Sequence, residues 1–533
     1  MTTRITFGTL VLLSSISSAM AAEPLFYPGS APKATANAAA ASAGAPFAGE
    51  RMIRSARVGM QLNPGAVAAS ELALPLPDGR QFNARRFNTY KTKSGSTVWI
   101  GKHNNAELGT AASAEEETVL VVRDGKVTGS VHHEGKLYRI RAGVDGTHGV
   151  AEIDLRKFPR DHIDNEYKQQ LALSEVAIAQ APATTRVGAM AAALADTPVI
   201  RVLVNYTPAA KRTTSDINAL IDLAIAETNQ GYVNAGVNAR VELAHAAQVN
   251  YTESGSNSTD RSRYSDVDDR VMDEIHGQRN TYAADVGVLL TDGNSACGNG
   301  TIYASATSAF AAVTTDCATG NYSFGHELGH LFGARHNPEE DNSTTPYAYG
   351  HGYLSPNRNW RTIMAYDCPN GCKRLNYWSN PAKTRDGVAM GTTAKNNNAR
   401  VLNERAAVLA SFRGAPASTA VVVSNTGDYT IPDNNATGVA SPVTVSASGN
   451  AGTVTAEVNI IHPYVGDLVV DLIGPDNTVY NLQNRAGGSA DNIQRSFSVV
   501  VGAKPRVGTW KLRVTDRAAQ DNGHIESWTF KSQ

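Results

Sequence analysis

The sequence predicts a multidomain protein in which an α/β domain lies between a β-rich N-terminal block and a C-terminal β-sandwich. Three observations lead to this prediction. Short β-like runs separated by turns fill about 51–160, strand-like and helix-like segments alternate from Val199 onwards, and a cysteine-free series of short strands begins at about 417. The 533 residues have room for about three or four domains. The predicted segments are 1–21, 22–196, 197–416 and 417–533.

The first 21 residues have the features of a signal peptide. Arg4 provides a positive start, Phe7 to Ala19 is an apolar run, and Ala19-Met20-Ala21 is a small-x-small cleavage site. The run is too short and too rich in serine to anchor the chain, and no other stretch reaches the roughly 18 apolar residues of a spanning helix. The formal net charge of −1 provides no electrostatic attraction for nucleic acid. We therefore expect a secreted protein without a membrane anchor or a nucleic-acid partner.

Residues 22–196 are predicted to contain a linker, a β-rich block and a second connector. Ala22 to Glu50 is rich in Ala, Gly, Pro and Ser, which is typical of a flexible linker. The connector, Gln169 to Asp196, is rich in alanine and is predicted to be weakly structured. The β-like runs between them are Val98–Ile100, Val119–Val122 and Tyr138–Ile140, with turns at Asp124-Gly125 and Glu134-Gly135.

The middle of the chain is predicted to alternate strands and helices, which indicates an α/β domain. The clearest helix is Ile217 to Ala235, because its apolar residues recur at helical spacing. A later helix is expected to begin near Asn321 or Ser323, since either residue is a suitable N-cap. The other predicted elements are strands at 200–204, 241–249, 286–290 and 309–313 and helices at 267–275 and 400–412.

The helix that begins near 321 carries a predicted zinc site. His326 and His330 are four residues apart and therefore lie on one helix face. Gly333 can take the left-handed conformation that ends the helix and returns His336 to the same metal. Glu327 is placed to hold a water molecule rather than the metal. The alternative is a surface helix with solvated histidines. The whole motif is His326-Glu327-Leu328-Gly329-His330-Leu331-Phe332-Gly333-Ala334-Arg335-His336.

This motif, together with a second one downstream, resembles the metzincin zinc metallopeptidases. The second motif, Thr362-Ile363-Met364-Ala365-Tyr366, resembles the metzincin Met-turn. The resemblance implies a metzincin domain with one catalytic Zn²⁺, protein or peptide substrates, and Met364 beneath the histidines. Tyr366 stands where astacins and serralysins carry a tyrosine that approaches the zinc or the oxyanion. Three imidazoles leave zinc an open position, and Glu327 is the expected general base. We expect the substrate backbone to pair with an exposed strand preceding the zinc helix.

An even number of cysteines in an exported protein favours disulfides. The four cysteines allow three pairings. Because Pro369-Asn370-Gly371 can form a tight turn, we favour Cys368–Cys372 and, with it, Cys297–Cys317. A cysteine zinc cluster is the alternative.

The last block resembles the P domain of proprotein convertases, a β-sandwich. The resemblance implies a fold and no activity. His462 and the acidic residues of this block are expected at polar rim and turn positions, with a second metal site or a calcium ion as the alternative. The motifs that carry the resemblance are Ile461–Leu468, Asp471–Pro475, Gly508–Trp510, Leu512–Asp516 and Asp521–Trp528.

Residues 22–196 resemble a propeptide, which would act as an intramolecular inhibitor; an ordinary N-terminal domain is the alternative. This block contains no cysteine, so a cysteine cannot cap the zinc. A carboxylate or histidine of Arg160-Asp161-His162-Ile163-Asp164 is the candidate instead. The alternative for that cluster is a charged surface turn.

The segment after the Met-turn contains two cations, Lys373 and Arg374. With the two motifs above, Arg374 to Trp378 also resembles bacterial peptidyl-Asp metallopeptidases, which implies cleavage before aspartate and, less well, glutamate. Arg374 is the expected carboxylate ligand and Lys373 the second, because arginine binds carboxylates in a bidentate fork. The alternative is that both are solvated. Two other functions stay open: a secreted adhesion protein with a vestigial metal site, and a zinc amidase acting on cell-wall peptides.

Overall fold

The structure is a computed structural model that describes residues 22–27, 33–35, 45–103, 116–180, 197–293, 295–413, 421–447 and 450–532. The chain divides into two compact units, Met1–Gly414 and Ala415–Gln533. The predicted signal peptide and residues 181–196 of the predicted connector lie outside the described residues. No helix within the described ranges combines the length and apolarity needed to cross a membrane.

The N-terminal part of the first unit is a large β-sheet. Its strands are β1 (Glu23–Pro24), β2 (Lys33–Thr35), β3 (Ile53–Met60), β4 (Glu71–Pro75), β5 (Gln81–Lys91), β6 (Thr97–His103), β7 (Glu117–Arg123), β8 (Lys126–His133), β9 (Lys136–Ala142) and β10 (His148–Ile153). The order β1-β4-β5-β6-β7-β8-β9-β10-β3-β2 places most consecutive strands side by side. The predicted turns Asp124-Gly125 and Glu134-Gly135 close two hairpins, and all four residues have positive φ, as two-residue hairpin turns require.

The described parts of the predicted linker and of the predicted connector are both ordered. Leu25, Phe26 and Phe47 are buried in the sheet's apolar clusters, so the flexible-linker prediction is wrong for the described parts of Ala22–Glu50. Burial of three large apolar side chains outweighs the local bias of composition. The prediction of weak structure is wrong as well for the described part of the connector, 169–180, because helix α1 spans Asp164–Gln180. Its Ala, Leu, Gln and Glu residues are good helix formers.

A second sheet and its helices follow. The strands are β11 (Val199–Tyr206), β12 (Arg240–Gln248), β13 (Val286–Thr291), β14 (Gly298–Gly300) and β15 (Phe310–Thr314). The order is β12-β11-β13-β15-β14, with parallel pairs throughout except that β14 lies antiparallel at the edge. The helices are α2 (Pro208–Thr213), α3 (Ile217–Ala235), α4 (Asn257–Ser265), α5 (Glu274–Thr281), α6 (Thr315–Ala318), α7 (Ser323–Phe332) and α8 (Asn398–Leu409).

Most predicted elements of this domain are confirmed, and one helix is not. Helix α3 has the predicted bounds, and its Asp216 cap and left-handed Gly236 explain both ends. The helix predicted at 267–275 is wrong, because Arg270 and Met272 have positive φ there. Neighbouring aspartate side chains bond the backbone N–H groups of Asp268, Arg270 and Val271 and so compete with helix formation.

Helix α3 lies between the two sheets. One side contributes Ile221, Ala224 and Ile225 to the main core of the α/β domain. Another side packs Leu223 against the N-terminal sheet in a smaller cluster. The other members of that cluster are Val98, Ile100, Val119, Val121, Ala219 and Ala226. The N-terminal sheet thus covers apolar surface of the α/β domain.

Beyond α7 the first unit has little regular structure before α8, as predicted. The short strands of this stretch are β16 (Trp360–Arg361), β17 (Lys373–Arg374), β18 (Asn380–Arg385) and β19 (Val388–Met390). Strand β16 pairs with β17 and thereby aligns Arg361 with Arg374.

The second unit is a β-sandwich. Its strands are β20 (Val421–Asn425), β21 (Tyr429–Ile431), β22 (Val439–Val445), β23 (Asn450–Ile461), β24 (Leu468–Ile473), β25 (Val479–Asn484), β26 (Ile493–Pro505), β27 (Gly508–Asp516) and β28 (Gly523–Ser532). One sheet has the order β20-β28-β23-β26, with β21 also on β28, and the other β22-β27-β24-β25. Trp510 and Trp528 are buried in the core. His462 is buried beside Asp516, with Nε2 3.4 Å from Oδ2, so its predicted rim position is wrong.

Candidate active site

Helix α7 carries the histidine motif and ends as the sequence predicts. Gly333 has φ +103°, and the N–H groups of Gly333 and Ala334 bond the carbonyls of His330 and Gly329. The start at Ser323 is also as predicted, while the capping residue differs. The helix begins at Ser323 with Tyr322 as its N-cap in the left-handed region, and neither Asn321 nor Ser323 is the cap. The ring of His132 stacks on Tyr322 at 5.2 Å, so the N-terminal sheet contacts this turn.

Four imidazoles meet at the helix, one more than the motif predicts. His162 Nε2 lies 3.2 Å from His326 Nε2 and 3.1 Å from His330 Nε2. His336 Nε2 lies 3.2 and 3.1 Å from the same two atoms. A tetrahedral zinc with ligands at about 2.0–2.1 Å needs nitrogen–nitrogen edges of about 3.3 Å. The distances above are four of the six edges of such a tetrahedron, and all four ligand atoms lie within 4.8 Å of one another. The group can therefore hold one metal ion, with His162 at the position predicted to be open.

The chemistry of these histidines suits a metal as well. His326 Nδ1 lies 2.9 Å from the Ile363 carbonyl oxygen, and His330 Nδ1 lies 2.9 Å from that of Ala334. Each Nδ1–H therefore donates to a carbonyl, which leaves the Nε2 lone pair of each ring free to bind a metal among the four imidazoles. Burial lowers the pKa of His326, His330 and His336 well below its ordinary value and that of His162 to about 4. All four rings are therefore neutral, as metal ligands must be.

Glu327 lies beside this centre, with Oε1 3.6 Å from His162 Nε2. Both carboxylate oxygens are buried without a hydrogen-bond partner among the described residues. Burial, with a contribution from Asp161, raises the pKa of Glu327 well above its usual range. Strand β14 runs directly over it: a Cβ on Gly298 would lie 2.5 Å from Glu327 Oε1 and one on Gly300 2.6 Å from its carbonyl oxygen. Only glycine lets the edge strand approach so closely.

The predicted Met-turn lies underneath the helix. Ala365 N–H closes a turn on the Thr362 carbonyl, and Met364 is fully buried. A Cβ on Gly329 would lie 2.9 Å from Met364 Sδ, so the sulfur contacts the helix between the two histidines. Tyr366 packs its ring on His336 with centroids 4.1 Å apart. Its buried hydroxyl has no hydrogen-bond partner among the described residues.

The edge strand that could bind a substrate is already paired with the N-terminal region. The N–H groups of Cys297 and Gly298 donate to the carbonyls of Arg160 and Asp161 at 2.8 and 3.1 Å. Further along, Gln170 Nε2 of helix α1 donates to the Gly300 carbonyl at 2.8 Å. Residues 160–170 therefore cover the edge strand where we expect the substrate.

Arg374 is buried and binds a carboxylate, which contradicts the alternative of a solvated side chain for this residue. Its Nη1 lies 2.8 Å from Asp161 Oδ1, and Arg361 Nη1 lies 3.5 Å from Asp161 Oδ2. Burial raises the pKa of Asp161, but the guanidiniums of Arg374 and Arg361 oppose it and hold that pKa well below its usual range. Lys373, the second predicted cation, is exposed at the mouth of an adjoining cavity of about 390 Å³.

Sequence reasoning missed two residues of this centre and left a third uncertain. Tyr167 stacks on His336 at 4.1 Å and donates to Asp341 at 2.6 Å, and Arg361 reaches Asp161. His162 was one member of a candidate cluster. The surface-turn alternative for that cluster is wrong, because Asp161 and His162 are 7% and 1% exposed. The solvated-histidine alternative for the helix is wrong for the same reason.

Two further groups bear on the metal predictions. The disulfides are Cys297–Cys317 and Cys368–Cys372, as predicted, so the cysteine zinc cluster is excluded. In the N-terminal sheet, Glu116 Oε2 lies 3.1 Å from His103 Nδ1 and 2.7 Å from His133 Nδ1. Hydrogen bonding explains this second histidine–carboxylate group.

The fold and the site define a metallopeptidase with a C-terminal P domain. A family profile described as "Metallo-peptidase family M12" matches residues 196–379, and one described as "Proprotein convertase P-domain" matches 451–532. M12 membership implies zinc as the metal for the histidine group.

Full-length relatives specify the family. The chain is 40% identical over 425 residues to the peptidyl-Asp metalloendopeptidase of Xanthomonas campestris pv. campestris, covering 76% of this chain and 98% of that protein. It is 40% identical over 421 residues to the protein of the same name from Stenotrophomonas maltophilia, with the same coverage. The chain belongs to the peptidyl-Asp metalloendopeptidase family. Its C-terminal part is similar to another protein: leupeptin-inactivating enzyme 1 of Streptomyces exfoliatus is 51% identical over 117 residues, 22% of this chain and 27% of that one.

Proposed function

We propose that this metalloendopeptidase is a secreted metzincin that is made as an inactive precursor and cuts peptide bonds before acidic residues. One observation carries the proposal: Glu327, whose carboxylate has no hydrogen-bond partner among the described residues, lies beside converging zinc-ligand nitrogens. In the proposed domain plan, 1–21 is the signal peptide, 22–196 the propeptide, 197–416 the catalytic domain and 417–533 the P domain. His326, His330 and His336 are the zinc ligands of the active form.

Zinc, when bound, activates a water molecule as the nucleophile and polarises the scissile carbonyl. Glu327 accepts the proton of that water and delivers it to the leaving nitrogen. Its raised pKa suits this task, because the carboxyl must hold the proton between the two transfers. The Tyr366 hydroxyl is free to donate a hydrogen bond to the developing oxyanion. Met364 supports the helix from below and takes no part in proton transfer.

The proposed specificity rests on Arg374. This guanidinium is buried next to the catalytic histidines, and it binds a carboxylate in the described form. A buried cation left without an anion is costly, so its pocket favours an acidic side chain over a neutral one. The names of the full-length relatives, peptidyl-Asp metalloendopeptidases, support the same specificity for this chain.

The test compares wild-type protein with Glu327→Gln on a denatured protein substrate, each after limited proteolysis has removed the proposed propeptide. We expect wild type to cleave before Asp and Glu, zinc chelation to abolish cleavage, and Glu327→Gln to lower kcat by at least about 10³ while zinc stays bound. Equal activity of the two proteins would refute the catalytic role of Glu327. Cuts mainly before large apolar residues would refute the acidic specificity.

Other outcomes of the same assay would identify the alternative functions. A zinc-containing wild type that cleaves nothing would indicate an adhesion protein with a vestigial site. Release of peptidoglycan fragments without cleavage of the denatured protein would indicate an amidase. Mass spectrometry of the protein from culture medium tests the domain plan, and a mature N-terminus far from residue 197 would refute the proposed propeptide boundary.

A further inference from the structure

Asp161 and His162 enter the active site side by side. His162 completes the group of four imidazoles, and its Nε2 lies 3.6 Å from Glu327 Oε1. Asp161 directs its carboxylate to Arg374 and Arg361, while its carbonyl accepts from Gly298 of the edge strand. Residues 161 and 162 thus make the three interactions expected of an acidic substrate: backbone pairing with the edge strand, an acidic side chain in a cationic pocket, and a group at the metal site.

Two arginines contribute to the pocket that holds Asp161. Arg374 donates to the carbonyls of Ile363 and Asn321 in addition to Asp161, and the Ile363 carbonyl also accepts the Nδ1–H of His326. Arg374 therefore also helps to position His326, a proposed zinc ligand, through the carbonyl that the two side chains share. Arg361 donates to the Ala365 carbonyl at 2.6 Å and contacts Asp161 and Asp367 at 3.5 Å. It is 8% exposed and does not contact a zinc ligand through any of these bonds.

The two guanidiniums need an anion once Asp161 is gone. Asp367 is the other carboxylate near Arg361, but its side chain is 57% exposed and water screens its charge. Breaking a buried ion pair from one side leaves the remaining charge uncompensated, and a substrate carboxylate restores the balance. Lys373 is exposed, so water screens its charge. The selectivity should therefore come from Arg361 and Arg374 more than from Lys373.

Resting on the proposed function, we propose that Asp161 stands in for the acidic side chain of the substrate and that Arg361 is a second specificity residue beside Arg374. In this view His162 closes the metal position and Asp161 blocks the specificity pocket, so the precursor is inhibited by a mimic of its own substrate. Removal of residues 160–162 then opens both sites at once.

The first experiment measures zinc transfer from the full chain to a chromogenic chelator, in a Glu327→Gln background that prevents self-processing. We expect His162→Ala to speed zinc release at least tenfold, and Asp161→Asn and Arg361→Gln at least threefold each. Because the last two act through one ion pair, the double variant should release zinc no faster than the quicker single variant. Asp164→Asn is the matched control, since that carboxylate is half exposed on Arg160, and it should stay within twofold of the parent.

An unchanged rate of zinc release in Arg361→Gln, or additive effects in the Asp161→Asn, Arg361→Gln double variant, would overturn the proposed pairing of Asp161 with Arg361. Arg361→Lys guards against misfolding, because it keeps the charge while losing the fork and should release zinc at an intermediate rate. Unchanged release in His162→Ala would overturn the role of His162 toward the metal.

The second experiment measures specificity with Glu327 intact. The full chain with Asp161→Asn and His162→Ala is given two fluorogenic peptides that differ only by Asp or Asn after the cleaved bond. We expect at least a tenfold preference in kcat/KM for Asp, and Arg361→Gln should reduce that preference at least fivefold while the Asn peptide changes less than threefold. An unchanged preference would refute Arg361 as a specificity residue. If this zinc-bound chain cleaves neither peptide, the proposal that the Asp161 and His162 side chains carry the block is overturned, because residues 160–170 then still cover the edge strand. The proposed function is tested separately by the wild-type assay above, and the zinc-release data still decide the pairing of Asp161 with Arg361.

Discussion

The two β-rich regions of the molecule differ in where their buried charges find partners. In the N-terminal sheet, Arg139 is buried and donates to the carbonyls of Asp316 and Thr319 in the α/β domain. In the C-terminal sandwich the buried carboxylates of Asp516 and Asp471 lie 3.4 and 2.7 Å from His462 and Arg513 of the same sandwich, and the Lys531–Glu457 pair is about 40% exposed.

The N-terminal sheet therefore depends on hydrogen bonds to the α/β domain, whereas the C-terminal sandwich is stabilised by its own core. Other bonds from the N-terminal sheet follow the same rule: Ser94 and Ser96 donate to Asp222 of helix α3, and Asn376 donates to Glu117. A sheet with such contacts should lose stability when the α/β domain is altered. The sandwich should unfold in a separate transition with its own free energy of unfolding.

The largest expected effect is at Arg139. Arg139→Ala leaves two buried carbonyls without their donor and Glu50 with Arg141 as its remaining partner, and we expect a loss of about 3–5 kcal/mol in the unfolding free energy of the first unit. Urea denaturation of the full chain measures it, with the exposed Arg85→Ala of the same sheet as the control. A loss below about 1 kcal/mol would mean that the interface does not depend on this charge.

A smaller effect is expected from pH through Glu227. Burial raises its pKa from 4.5 to about 7, although its carboxylate accepts the Gly320 N–H at 2.9 and 3.1 Å. The folded chain keeps this proton between pH 4.5 and 7 while the unfolded chain releases it. Stability is therefore fully present below pH 4.5 and falls by up to about 3 kcal/mol as the pH rises to 7. Denaturation across this window should show a weaker fall in Glu227→Gln, and equal slopes in both proteins would contradict the assignment.

The next largest effect is expected on the unfolding free energy of the C-terminal sandwich. Trp528 is buried, and its Nε1 donates to Ser441 at 3.1 Å. Trp528→Phe removes that donor and part of the ring, which should cost about 2 kcal/mol in the unfolding of the second unit. Calorimetry should show the transition of the first unit unchanged. A joint shift of both transitions would break the comparison, because the sandwich would then not be independent.

The smallest effect is expected at Lys531. Its ammonium lies 2.6 Å from Glu457, but both side chains are more than 40% exposed, so water screens the pair. Lys531→Ala should change the unfolding free energy of the second unit by less than about 0.5 kcal/mol. A loss comparable with that of Arg139→Ala would mean that exposure does not separate the two regions.

The sequence by itself determined the elements that local patterns encode. Helical spacing predicts Ile217–Ala235, four-residue spacing with Gly333 predicts the three-histidine group, and the tight Pro369-Asn370-Gly371 turn favours the Cys368–Cys372 disulfide. These features depend on residues within one turn or one helix. Local patterns failed at 267–275, where aspartate side chains compete for the backbone, and at the predicted linker, where distant burial decides.

Only the tertiary structure decided what fills the active site. His162 reaches His326 across 164 residues of sequence, and Asp161 reaches Arg361 and Arg374 across 200 and 213. No spacing rule connects such positions. Their contact depends on helix α1, the edge strand and the pairing of β16 with β17, which bring them together only when both sheets have packed. The sequence thus specifies which residues can do the chemistry, while packing decides that Asp161 and His162 lie against Arg374 and the histidines of the motif.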